Sequence, residues 1–137
     1  MRKLSLLLCL LSVLPFAAHA RARTDAIKSP VEIPIAAKAT AAQVNLAAQL
    51  AAQSRGWVVE NRKGNAFEAV YAQEGRRSFS ARIGVTSSAK TVTIQYVSSE
   101  GLDYDEADGT ISANYNKWMN FLERDIPTFV DWIVAAQ

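Results

Sequence analysis

Phe79-Ser80-Ala81-Arg82-Ile83-Gly84-Val85, then Thr91-Val92-Thr93-Ile94-Gln95-Tyr96-Val97, is the stretch on which the fold turns. Phe79, Ala81, Ile83 and Val85 alternate with Ser80, Arg82 and Gly84, and Val92, Ile94 and Tyr96 alternate with Thr93 and Gln95. A period of two puts the apolar set on one face of a pleated strand and the polar set on the other. Strands are expected over residues 78–85 and 91–97, and the five residues 86–90 between them allow only an antiparallel turn. The expected sheet has one buried and one wet face.

Working towards the N-terminus, two more strands are expected, at 57–60 and 66–72. The turn between them is Asn61-Arg62-Lys63-Gly64-Asn65, and Glu74-Gly75 leads into the strand at 78. Before Trp57 the period becomes helical. Thr40-Ala41-Ala42-Gln43 has the form of a capping box, in which the Thr hydroxyl accepts from the Gln43 amide and Gln43 reaches back to the cap. Val44, Ala47, Ala48, Leu50 and Ala51 give a thin, alanine-rich stripe, and Gly56 supplies the stop. Residues 21–39 contain Pro30 and Pro34 around Val31, Ile33 and Ile35, which limits them to a tether or a short edge strand.

On the other side, Glu100 to Gly109 reads as an acidic loop. Ile111, Tyr115, Trp118, Leu122 and Ile126 then recur at helical spacing, with Asn114, Lys117, Asn120 and Arg124 away from that stripe. Pro127 is expected to kink or end this helix, with a short further helix over 128–136 placing Phe129, Trp132 and Ile133 inward. The expected fold is α+β, ordered α-β-β-β-β-α: a four-stranded antiparallel meander with helices packed on one face, in a single domain over 40–137.

The first twenty residues read differently. Met1-Arg2-Lys3, an apolar run from Leu4 to Phe16 and Ala18-His19-Ala20 have the charge, length and small-x-small ending of a secretory signal peptide. Its removal would leave 117 of 137 residues and take away the single cysteine, Cys9, and the single histidine, His19. Leu8 is bulky where lipid attachment to Cys9 would want a small residue, so a soluble periplasmic protein is expected, with no transmembrane segment. Of fifteen Lys and Arg residues two lie in this leader, leaving thirteen against thirteen Asp and Glu. Neutrality, export and the lack of interleaved aromatics on the polar face argue against nucleic acid.

Several stretches, Gly56-Trp57, the turn at Gly64, Ile94-Gln95-Tyr96-Val97-Ser98-Ser99, and Asn114-Tyr115-Asn116-Lys117-Trp118 with Leu122, Asp125 and Ile126, resemble a family of small proteobacterial exported proteins. Its members are described as lipoproteins or periplasmic proteins without an assigned activity. The resemblance covers residues 40–126 and implies location and fold; it does not imply a reaction. The absence of a lipid-attachable cysteine at the cleavage point sets this chain apart from many members.

No catalytic residue and no cofactor are expected. Asp103, Asp105, Glu106 and Asp108 invite a calcium reading. Aligning Gly109 with the glycine of an EF-hand loop puts Glu106 and Asp108 at ligand positions, but Tyr104 and Tyr115 fall where the strongest carboxylates belong. A carboxylate pair for glycan hydrolysis would need one acid buried and shifted, which a wet loop does not provide. Trp57, Trp118, Trp132, Tyr96 and Tyr115 are expected to pack between helix and sheet, and Asn114 and Asn116 to tie the helix to Ser98 and Ser99. Arg62, Lys63, Arg76, Arg77, Arg82, Thr93 and Gln95 are the candidate binding surface on the polar sheet face and its turns. The expectation is a non-catalytic module that binds a protein or envelope component through that face or a sheet edge, self-association included. The alternatives are a carboxylate- or calcium-dependent envelope hydrolase centred on 103–108, or an inhibitor of a hydrolase.

Overall fold

A computed structural model describes residues 23–137; the expected leader lies outside the described residues. The chain runs β1 (Thr24–Ala26), β2 (Val31–Pro34), α1 (Ala41–Ser54), β3 (Val58–Lys63), β4 (Ala66–Gln73), β5 (Phe79–Ser87), β6 (Thr91–Glu100), β7 (Thr110–Ser112) and α2 (Ala113–Ala135). It is α+β, and the sheet has five strands, not four. The antiparallel order is β2-β6-β5-β4-β3, and β1 pairs with β7 in a separate two-stranded ribbon. The fifth strand is the edge strand at Val31–Pro34, whose Val31 and Ile33 sit opposite Ile94 and Val92 and are buried.

Alternation decides which sheet face is covered. Ile33, Val92, Ile94, Ile83, Val85, Phe67, Ala69 and Val59 are buried on one side, against both helices. The α1 capping box is present, with the Gln43 N–H donating to Thr40 Oγ1 at 3.1 Å and the Thr40 N–H to Gln43 Oε1 at 2.9 Å. Helix α1 ends in a Schellman arrangement: Trp57 N–H donates to Ala52 O at 3.1 Å and Gly56 N–H to Gln53 O at 3.0 Å. Four alanines (47, 48, 51 and 52) with Val44 make its buried side. Leu50 is not on that side as expected; Asn45 is buried instead and Leu50 faces out.

Helix α2 differs from expectation at both ends. Ile111, although in phase with Tyr115, belongs to β7, and Ser112 is the N-cap, its Oγ accepting from the Asn114 N–H. Pro127 neither ends nor divides the helix, which continues to Ala135. Proline costs a helix one N–H···O bond. Here Ile126 and Val130 on either side of it are fully buried, and that packing offsets the loss. The buried stripe is Tyr115, Met119, Leu122, Ile126 and Val130, so Trp132 points outward, not into the core as expected.

Seven of the aromatics form two clusters, and Phe129 and Trp132 make a separate pair. Trp118 meets Tyr71 edge-on at 4.9 Å and Phe79 at 5.1 Å, with Trp57 6.4 Å away. Tyr96 lies between Tyr104 (4.3 Å) and Tyr115 (5.8 Å). Of the two asparagines, Asn116 ties α2 to β1 and the residues just after it, not to Ser98 and Ser99: its Nδ2 donates to Ala26 O at 2.8 Å and its Oδ1 accepts from the Lys28 N–H at 2.9 Å. Ser99 Oγ instead bonds the Tyr96 hydroxyl at 2.8 Å. Among the described residues no helix is long and apolar enough to cross a membrane.

Candidate functional site: the uncovered sheet face

The helices occupy one side of the sheet and leave the other bare. Its centre is Arg82 of β5. In the ladder Arg82 lies opposite Val70, while Glu68 on β4 is flanked by Glu60 on β3. This register lets Arg82 Nη1 donate to Glu68 Oε2 at 2.7 Å and meet Glu60 Oε2 at 3.0 Å. The hydrogen bonds it donates to Glu68, then Glu60, hold the guanidinium above its already high pKa. One cation between two carboxylates leaves the cluster net negative, so Arg82 is not a free anion-binding group.

Two residues along β5, Gly84 has no side chain to cover the sheet. Opposite it the β5–β6 ladder slips: Arg82 pairs with Ser98 but Ile83 pairs with Tyr96, leaving Val97 as the extra residue. Such a bulge turns neighbouring side chains to the same side. Val97 keeps the phase of Thr93 and Gln95 and stands exposed on the bare face, its Cγ2 3.6 Å from where a Cβ on Gly84 would be. Gly84, Thr86, Thr93, Gln95, Val97 and Glu68 bound a shallow groove of about 320 Å³. Its chemistry is two hydroxyls, two amides (Asn61 and Gln95), one carboxylate and the apolar side chain of Val97. It can bind by shape and hydrogen bonding, and it holds no nucleophile paired with a base.

The candidate surface residues do not converge. Arg82, Thr93 and Gln95 share the bare face. Arg62 Nε donates to Gln49 Oε1 of α1 at 2.9 Å, which draws it to the helix side. Lys63 is at the β3–β4 turn, and Arg76 and Arg77 are in the β4–β5 hairpin at the opposite end of the sheet. There Arg77 borders a hollow of about 250 Å³ with Asp103, Ser112 and Asn114.

The acidic loop is organised by its own backbone. Asp105 and Thr110 bridge, Gly109 N–H donates to Asp105 O at 2.8 Å, and Asp108 N–H donates to Asp105 Oδ1 at 3.1 Å. Glu106 and Asp108 are exposed. Among the described residues no three His, Cys, Asp or Glu side chains converge as a metal would require.

The groove was signalled in the sequence by the polar phase of Thr93 and Gln95 and by Gly84, since a glycine inside a strand marks a bulge or a close approach. The Glu60–Arg82–Glu68 cluster needed the strand register, which alternation alone does not supply. No protein-family model matches the chain, and no curated protein matches it significantly.

Proposed function

We propose that this chain is a non-catalytic binding module of the periplasm, engaging a protein or envelope component through the bare sheet face. The observation that carries the reading is the groove over Gly84, walled by Thr86, Thr93, Gln95 and Val97. The leader-like first twenty residues and the resemblance to exported proteins support the location.

The face is favoured over the edges. Strand β2 is four residues long, preceded by Pro30 and ending in Pro34, and β3 carries an irregularity between Glu60 and Lys63 with Asn61 in the left-handed region at φ 51°. Proline and bulges are devices that blunt edges against strand addition. The hydrolase alternative gains nothing from a loop in which the Asp105 carboxylate is occupied by the Asp108 amide.

Gly84→Val tests the reading. The new Cβ falls at ordinary contact distance from Val97 and fills the groove floor without opening the core. The expected result is an unchanged or slightly raised Tm together with loss of one or more components retained from envelope extract by immobilised wild-type protein. An identical set retained by both proteins, at equal Tm, overturns the assignment to this face. Sedimentation velocity of both proteins separates self-association from a heterologous partner.

A further inference from the structure

The outer side of the helix layer, away from the groove, carries a second exposed surface. Two cross-helix contacts fix the antiparallel seam between α1 and α2: Gln43 Nε2 donates to Gln137 Oε1 at 2.8 Å, and Arg55 Nε donates to Asp125 Oδ2 at 2.6 Å. Between them Leu46 and Leu50, one turn apart on α1, are 47% and 39% exposed. Trp132 of α2 is 60% exposed, its ring 4.9 Å from that of Phe129. These are three of the largest apolar side chains the fold leaves in water.

At the Arg55 end of the seam three cations surround one ring. The Arg55 guanidinium lies 4.4 Å from the Phe121 centroid, that of Arg124 5.4 Å, and the Lys117 ammonium 5.8 Å. Asp125, bonded to Arg55 and 3.3 Å from Arg124 Nε, is the acid in contact with them, which leaves the group with two positive charges in excess. Of the other acids on α2, Glu123 is engaged by Lys28 at 3.2 Å, and Asp131 stands exposed beside Trp132.

We propose that this α1–α2 face rests on an anionic bilayer surface. Lys117, Arg124 and Arg55 would lie against lipid phosphates, while Trp132, Leu46 and Leu50 enter the boundary between headgroups and acyl chains. Charge complementarity supplies the choice of occupant: with Asp131 counted the face keeps one positive charge in excess, and cations at one end with protruding apolar tips along it match the two layers such a surface offers. Tryptophan suits that depth because its ring is apolar and its N–H stays wet. In this pose the groove over Gly84, on the far side of the sheet, faces the aqueous compartment. The inference does not rest on that groove being used.

The test is co-sedimentation of the chain, as the cell processes it and with its mass recorded, with vesicles of phosphatidylglycerol and phosphatidylcholine or of phosphatidylcholine alone. Binding to the anionic vesicles that falls as salt rises is expected. Lys117→Gln with Arg124→Gln should weaken it about 25-fold, roughly five-fold per charge removed. Trp132→Ser should weaken it about ten-fold. Unfolding by urea confirms that each variant is folded, and any leader-derived partitioning is common to all three proteins. Equal binding to neutral vesicles, or binding unaltered by the variants, overturns the proposal. So does a dimer abolished by Trp132→Ser without vesicle binding, which would assign the face to a second copy of the chain.

Discussion

Gly101→Ala isolates a close backbone approach that the sheet depends on. Gly101 follows β6 at φ +70°, and an added Cβ would lie 2.3 Å from the Ser78 carbonyl oxygen, with Phe79 Cα at 3.2 Å. Both are backbone atoms, so no rotamer change relieves the contact. Placing alanine in the left-handed region costs about 1 kcal/mol. Relieving the overlap requires moving the start of β5 away from the end of β6, where Ser80 pairs with Glu100, and overpacking of this kind costs about 2 kcal/mol more. The expected loss is therefore about 3 kcal/mol, or a Tm lowered by about 12 °C for a domain of this size. Gly64→Ala separates the two contributions. Gly64 has φ +57° with nothing within 4 Å of the new Cβ, so this variant should lose only the conformational part, about 1 kcal/mol. Urea unfolding of the wild type and both variants, with equal m-values, measures the difference. Equal losses in the two variants would refute the claim that the Ser78 carbonyl is in the way.

Two further outcomes follow from buried or paired polar groups. The Tyr115 hydroxyl is buried without a hydrogen-bond partner, and desolvation raises its pKa, so Tyr115→Phe should leave stability unchanged or raise it by about 1 kcal/mol in urea unfolding. Because the folded-state value is raised, the wild type should also lose stability as pH climbs past about 10, where the unfolded tyrosine ionises, and the variant less so. Asp125 has the opposite sign. The hydrogen bond from Arg55 lowers its pKa, so its contribution is present above the ordinary carboxylate range and is lost as pH falls through the depressed value. Asp125→Asn should destabilise at pH 7, with the gap from wild type narrowing in acid; a pH-independent gap in thermal melts would contradict the pairing.

Local signals were legible, and pairings between distant residues were not. The capping box at Thr40 and the alternation from Phe79 to Tyr96 are complete within one element, so sequence reading located α1 and the meander. Ile111 was misread because a residue four before Tyr115 satisfies the helical period even when it lies in a strand that Asp25 of β1 pairs with across the molecule. The helix end expected as one outcome at Pro127 is absent: the local cost of proline is visible in sequence, whereas the burial of Ile126 and Val130 that offsets it is not. Trp132 followed the same error: a separate short helix could have turned it inward, but a continuous one carries it to the outside. At the site, Thr93 and Gln95 were identifiable from the polar phase of their strand. Val97 shares that phase, but the shift that sets Ser98 opposite Arg82 was not legible, since it arises from a one-residue slip in the β5–β6 register.

The two N-terminal strands have a kinetic consequence. Strand β2 finds its partner some sixty residues on, and β1 only at residues 110–112, beside the cap of α2, where the Ala113 N–H donates to Arg23 O. Segments made first thus wait for segments made last, and loop-closure entropy is met before either ribbon rewards it. A nascent chain released short of Ser112 would keep its opening residues unsatisfied and open to proteases or chaperones, however well its central hairpins had formed.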